Sequence, residues 1–182
     1  SVTEGVKNII SLIALDTNNR PVTHSITGCD DEELFSLTIN GQLVLLKAAD
    51  FELPHDLDGD NVYKVSVQAS AGTDITSMDI SISIQDALEG RVVDGPIIGA
   101  FVFIDNDGDL VFDEEEYKTT TDSEGFFFLN KATISCTGEC NQRLVARSGI
   151  DSHTGRSSSL ILMAPVLLDK LVTISPISTL LT

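Results

Sequence analysis

Tryptophan is absent, tyrosine occurs twice, and eleven Lys plus Arg stand against 28 Asp plus Glu, for a formal net charge of −17. Nucleic acid and anionic membrane surfaces are recognised through a basic footprint, so this balance argues against both as partners. No apolar run reaches the roughly 18 residues a membrane span requires, and the N-terminus lacks a basic region followed by an apolar one. Membrane insertion is therefore not expected of the chain as given. Sugar-binding platforms are built from exposed aromatics, and most of the eight Phe occupy positions that a core would want. Only Tyr117 stands out as a candidate stacking residue.

Also missing is a catalytic constellation. His24, His55 and His153 are isolated, and no serine lies in a GxSxG-type turn. His153 is near Asp151 and Ser152, but neighbours in sequence do not make a triad, and a solvated loop accounts for them. An enzyme is not expected. Cysteine is limited to three residues. Cys136 and Cys140 in CTGEC bracket a Gly-containing turn and can close a small disulfide, as suits an oxidising compartment, or serve as two of four zinc ligands. Cys29 is left over and is expected as a partly buried thiol.

Helical periodicity is almost lacking, and what is present is alternation with period 2. FSLTINGQLVLL sets Asn40-Gly41 between two apolar runs, a strong hairpin signal. NVYKVSVQA puts Tyr63, Val65, Val67 and Ala69 on one face, and DISISI does the same for Ile80, Ile82 and Ile84. A composition break falls over residues 85–96, after which short strands and Gly turns resume through GRVVDG, GAFVFID, EGFFFLN, QRLVAR, SSLILMAP and LVTISP. At 182 residues with 42% hydrophobic content, the expected architecture is all-β, with two antiparallel β-sandwich domains in tandem. The expected spans are 1–89 and 90–182. The final STLLT is expected to open a helix, and the abrupt ends SVTEG and SPISTLLT are those expected of a piece of a longer chain.

The most informative stretch is DNDGDLVFDEEE, Asp105–Glu116, with seven carboxylates in twelve residues and no Lys or Arg. Two unit charges about 4 Å apart repel by roughly 1 kcal/mol even in water. The alternation of Asp105, Asp107 and Asp109, followed by Asp113 and Glu116, matches the oxygen donors of a twelve-residue calcium loop, with the carbonyl of Val111 at its seventh position. Helix-loop-helix calcium hands place Gly sixth, where this chain has Leu110, and the flanks GAFVFI and GFFFL read as strands. The expectation is a calcium loop within a β domain, with Glu114 and Glu115 solvated; the alternative is an acidic hairpin tip in water. PHDLDGDN repeats the alternation at Asp56, Asp58 and Asp60, as a second calcium loop or a polar one.

With strands placed, VTEG, IALDTN, LFSLTINGQLVLL, AADFELP, YKVSVQASAG and ISIQDALE, in that order, resemble a cadherin-type repeat of the bacterial kind over residues 1–89. That resemblance implies calcium at the junction with the following domain, held by Glu4, Asp50, Glu52, Asp86 and Glu89. Two departures stand out: Ala71 replaces an Asp usual in the family, and QDALE carries Leu88 where asparagines are expected. They imply one or two ions rather than three. Residues 90–182 resemble the transthyretin-like or carboxypeptidase-regulatory-like modules of large bacterial surface proteins, through GRVVDGPIIGAFVFID, the acidic loop, and TTTDSEGFFFL. There Asp122 and Gly125 make the turn, with Phe126 and Phe128 expected in the core.

These resemblances imply a calcium-rigidified structural or adhesive segment of a secreted or cell-surface bacterial protein. Its partners would be calcium, neighbouring domains of the same protein, or a like domain on another cell. The competing expectation is a polysaccharide- or protein-binding accessory module of an extracellular polysaccharide-degrading enzyme or adhesin.

Overall fold

A computed structural model describes residues 1–134, 142–168 and 170–180. Cys136 and Cys140 lie outside the described residues. The chain divides into two compact units, Ser1–Asp86 and Ala87–Thr182. Both are β-sandwiches. The division comes a few residues before the expected 89/90 because Ala87–Val92 forms one uninterrupted strand of the second unit.

Unit 1 contains β1 (Val2–Thr3), β2 (Asn8–Ser11), β3 (Thr23–Gly28), β4 (Phe35–Leu37), β5 (Gln42–Leu45), β6 (Val62–Ala71) and β7 (Asp74–Gln85). One sheet runs β1-β7-β6-β3 and the other β2-β5-β4. Their facing sides meet in a core of Phe35, Leu43 and Leu45 against Tyr63, Val65, Val67, Ile82 and Ile84. The Phe35 and Tyr63 rings meet edge to face, with centroids 6.5 Å apart. Burying a side chain of this size contributes roughly 1.5–3 kcal/mol, so alternation in β6 and β7 is a strong register signal.

The expected hairpin joins β4 to β5, pairing Leu37 with Leu43. Its turn is not a two-residue one. Gly41 alone takes a left-handed φ of 76°, while the Gly41 amide donates to the Thr38 carbonyl at 2.9 Å. A Cβ at Gly41 would lie 2.9 Å from the Leu12 carbonyl, so the position excludes larger residues on two grounds. Cys29, expected to be partly buried, is exposed, in a backbone of φ 87° just past the end of β3.

Unit 2 contains β8 (Ala87–Val92), β9 (Ile97–Ile98), β10 (Phe101–Asp105), β11 (Lys118–Thr120), β12 (Phe126–Asn130), β13 (Arg143–Arg147), β14 (Ile150–Asp151), β15 (Ile161–Pro165), β16 (Val172–Ile174) and the short helix α1 (Pro176–Leu180). The sheets run β11-β10-β13-β15 and β12-β8-β16, with β14-β9 as a separate pair. Strand pairing is antiparallel except for β1 with β7 and β16 with β8.

The register of β12 differs from expectation. Phe127 and Leu129 enter the core, whereas Phe126 and Phe128 are only partly buried. The reason is the partner strand: Phe127 lies opposite Gly90, where an added Cβ would sit 2.2 Å from the Phe127 ring. Only glycine leaves room for that ring. Phe126 faces the other way, under the Arg91 guanidinium, 5.0 Å from its centroid.

Candidate metal sites

Among the described residues, four groups of carboxylates each bring three ligand oxygens within 4.8 Å of one another. They are Glu4–Asp50–Glu52, Asp56–Asp58–Asp60, Asp105–Asp107–Glu116 and Asp107–Asp109–Asp113. A calcium ion with oxygens at roughly 2.3–2.6 Å spans about 5 Å from one ligand to the opposite one, so each group fits around one ion.

The acidic loop of unit 2 starts where β10 leaves the core. Asp105, the last residue of β10, is fully buried. Its Oδ1 accepts the Gly108 amide at 2.7 Å and its Oδ2 the Leu110 amide at 3.3 Å. Glu116 closes the loop, with Oε1 accepting from the Asn106 amide at 2.8 Å and Oε2 from the Asp113 amide at 3.1 Å. These two buried acids thus tie both ends of the loop to its own backbone. Farther out, Asp107 accepts the Asp109 amide and Asp109 the Val111 amide, two successive Asx turns.

Leu110 adopts φ 63°, a left-handed conformation like the one the helix-loop-helix hand gives to Gly. Arg147 of β13 holds it there by donating to its carbonyl at 2.8 Å. Phe112 anchors the middle of the loop edge-on between Phe101 and Phe103, with centroids at 5.3 and 5.8 Å. Val111, expected to offer a carbonyl, is exposed, and so are Glu114 and Glu115.

Among the described residues, none of this loop's carboxylates makes a salt bridge. The electrostatic consequence falls on Asp113. Its carboxyl is held above the usual aspartate range, first by partial loss of water and then by the charges of Asp109, Asp107, Glu115 and Asp105. A divalent cation would reverse the sign of that local field.

In unit 1, Glu4 is buried in the turn after β1, and its Oε2 accepts the Phe51 amide at 2.7 Å. Asp50 accepts the Leu53 amide at 2.9 Å, and Glu52 is exposed. These three are brought together as one group. Of the other two junction candidates, Asp86 ends unit 1 and Glu89 belongs to β8 of unit 2; both are half-buried.

The Asp56–Asp60 loop is pinned by a residue that the sequence did not single out. Asp31 is buried, and its two oxygens accept the Leu57 and Lys64 amides, each at 2.8 Å. The Lys64 ammonium meets Asp58 Oδ2 at 3.0 Å, so this loop, unlike the other, has its own cation. That contact is the leading reason Asp58 stays below the usual aspartate range.

The Asp151 carboxylate accepts the backbone amide of His153 at 2.8 Å and the Thr154 hydroxyl at 2.9 Å, which hold it below its ordinary pKa. It organises a turn. Tyr117 is the one aromatic among the exposed large hydrophobic residues. A groove of about 390 Å³ in unit 1 is bordered by Ile10, Leu12, His24, Val67 and Met78, with no aromatic along it.

The chain is thus an all-β protein of two sandwiches carrying paired and clustered carboxylates. No family model matches it, and no curated protein matches it. Among solved structures it is similar to human Protocadherin-24 EC1-2 at 15% identity, TM-score 0.39, over 96% of this chain and 91% of that one. It is similar to Drosophila N-cadherin EC1-4 at 16% identity, TM-score 0.38, over 96% of this chain and 46% of that one. Superpositions this loose say nothing of what the chain binds.

Proposed function

We propose that this chain is a calcium-binding structural or adhesive segment of a large extracellular or cell-surface bacterial protein, with a cadherin-like first unit and a transthyretin-like second. The observation that supports it most is the loop Asp105–Glu116. Five of its carboxylates fall into two groups sharing Asp107, held by buried Asp105 and Glu116, with no salt bridge among the described residues. Such crowding is unfavourable in water and becomes favourable around a hard cation.

Glu4, Asp50 and Glu52, with Asp86 from the resemblance, would hold further calcium in unit 1. Extracellular modules of this type bind calcium at roughly 10⁻⁴ to 10⁻³ M, a level that extracellular fluid supplies. Binding to the folded state alone stabilises it by mass action, about 2.7 kcal/mol at a hundredfold excess over Kd. The partner in this reading is a neighbouring domain or a like domain on another cell. A single exposed tyrosine is a poor basis for the polysaccharide-binding alternative.

The test is calorimetric calcium titration of the whole chain beside a double variant, Asp107→Ala with Asp109→Ala. The intact chain is expected to bind, and the variant to lose the Asp105–Glu116 site while retaining another. Absence of heat at millimolar calcium, together with a thermal midpoint indifferent to chelator, would overturn the reading.

A further inference from the structure

Asp56 is nine-tenths buried, with 6% of its surface exposed, yet it keeps one carboxylate oxygen with nothing to bond. Its Oδ2 accepts the Asp60 amide at 2.8 Å; its Oδ1 is shut away from water and has no hydrogen-bond partner. A buried carboxylate oxygen normally finds a donor, and one that does not calls for a missing partner. The same residue offers an oxygen within 4.8 Å of oxygens from Asp58 and Asp60.

We infer that Asp56, Asp58 and Asp60 form a cation site for a hard divalent ion, with Asp56 as its buried inner ligand and the Lys64 ammonium as a tethered competitor at its outer edge. The site belongs to unit 1 and does not need the Asp105–Glu116 loop of unit 2 to bind anything.

The loop is built in advance. Asp31 clamps it through the Leu57 and Lys64 amides, Asp60 Oδ1 accepts the Val62 amide at 2.8 Å, and Gly59 and Asn61 take φ of 71° and 62° to close the turn. Asp58 and Asp60 are the exposed ligands, and Lys64 Nζ reaches Asp58 at 3.0 Å. An incoming divalent ion brings twice the charge of an ammonium and can be surrounded by all three acids, whereas Lys64 contacts one. Lysine then swings out into solvent on its flexible stem.

The two tyrosines allow the loops to be read separately. Tyr63 Oη accepts the amide of His55, the residue before Asp56, and Tyr117 follows Glu116 directly. Terbium(III), a calcium surrogate, luminesces when excited through a nearby tyrosine, and no tryptophan interferes. In the whole chain carrying Asp107→Ala and Asp109→Ala, terbium emission is expected to persist, to survive Tyr117→Phe, to vanish with Tyr63→Phe, and to be displaced by calcium.

Asp56→Asn and, because that variant could misfold, the exposed Asp58→Asn are each expected to weaken terbium binding at least tenfold. Glu124→Gln, at an exposed acid outside every carboxylate group, is expected to leave the Tyr63-sensitised emission unchanged. Lys64→Gln is expected to tighten binding severalfold. Emission that is absent, or that depends on Tyr117 alone, overturns the site, as does an affinity indifferent to Asp58→Asn. An affinity unmoved by Lys64→Gln overturns the competitor role. Failure of calcium binding at Asp105–Glu116 alone would leave these outcomes intact.

Discussion

The loops Asp56–Asp60 and Asp105–Glu116 face the same difficulty in different ways. Both alternate aspartates, and both use a buried carboxylate to hold backbone amides. In unit 1 the clamp comes from elsewhere in the chain, through Asp31, and the outer charge is met by Lys64. In unit 2 the loop clamps itself, through Asp105 and Glu116, and its outer carboxylates meet no ammonium or guanidinium among the described residues. Asp58 lies below the ordinary aspartate range, chiefly through Lys64, and Asp113 above it, first through partial loss of water and then through its acidic neighbours. A free cation therefore has more to relieve in the second unit than in the first.

The comparison separates inner anchors from outer ligands, and this is where the largest effects are expected. Asp105→Ala removes the acceptor for the Gly108 and Leu110 amides at a fully buried strand end and is expected to cost unit 2 roughly 2–4 kcal/mol, calcium or not. Asp31→Ala is expected to cost unit 1 roughly 1–3 kcal/mol, because it strips the acceptor from the Leu57 and Lys64 amides at a buried position. Asp107→Ala, at an exposed position, is expected to leave calcium-free stability almost unchanged while abolishing calcium binding to its loop. Denaturant unfolding with and without calcium checks all three. Equal costs for Asp105→Ala and Asp107→Ala would erase the distinction between anchor and ligand.

Much of this was legible beforehand, for physical reasons. Period-2 patterns mark strands with one wet face, so Tyr63, Val65 and Val67 fall inward as expected. EGFFFLN carries no such contrast: three consecutive phenylalanines give either register the same hydrophobic content, and the choice rests with Gly90 on a strand distant in sequence. The alternating acids are visible because their spacing is local. Asp31 and Lys64 were not, since a clamp from another segment and a lysine on the adjacent strand β6 leave no local pattern around the acids they serve. Asp31 sits in CDDEEL, where it looks like any solvated acid.

A smaller effect, in pH, sharpens the contrast. Asp113 has a folded-state pKa raised above its ordinary value of 3.8, so the calcium-free fold binds that proton more tightly than the unfolded chain does. Its contribution to stability is present at low pH and is lost as pH rises through the raised value. Asp58 is lowered, so its contribution is present above the ordinary aspartate value and lost as pH falls through its own. Protons consequently compete with calcium at Asp105–Glu116 from a higher pH than at Asp56–Asp60. Calcium titrations repeated from neutral pH downward are expected to show the unit 2 loop weakening first. Simultaneous weakening of both loops would contradict the assignment of opposite shifts.

The smallest effect tests whether a tethered cation is what distinguishes the loops. Asp113→Lys places an ammonium among Asp107 and Asp109, as Lys64 stands beside Asp58. Without calcium, the variant loses both the partly desolvated Asp113 carboxylate and its repulsion by the neighbouring acids, and gains an exposed ion pair, so its thermal midpoint is expected to rise slightly. The rise should shrink as salt is added, because exposed pairs are screened within about 10 Å at 0.1 M ionic strength. With calcium, the variant is expected to respond far less than the parent, since one ligand is gone and a positive charge guards the entrance. The two changes must have opposite signs: greater stability without the ion, less gained with it. Loss of stability in both conditions would mean that the loop tolerates its seven carboxylates through its backbone clamps alone, and that a cation paired with those carboxylates has no bearing on what the loop binds.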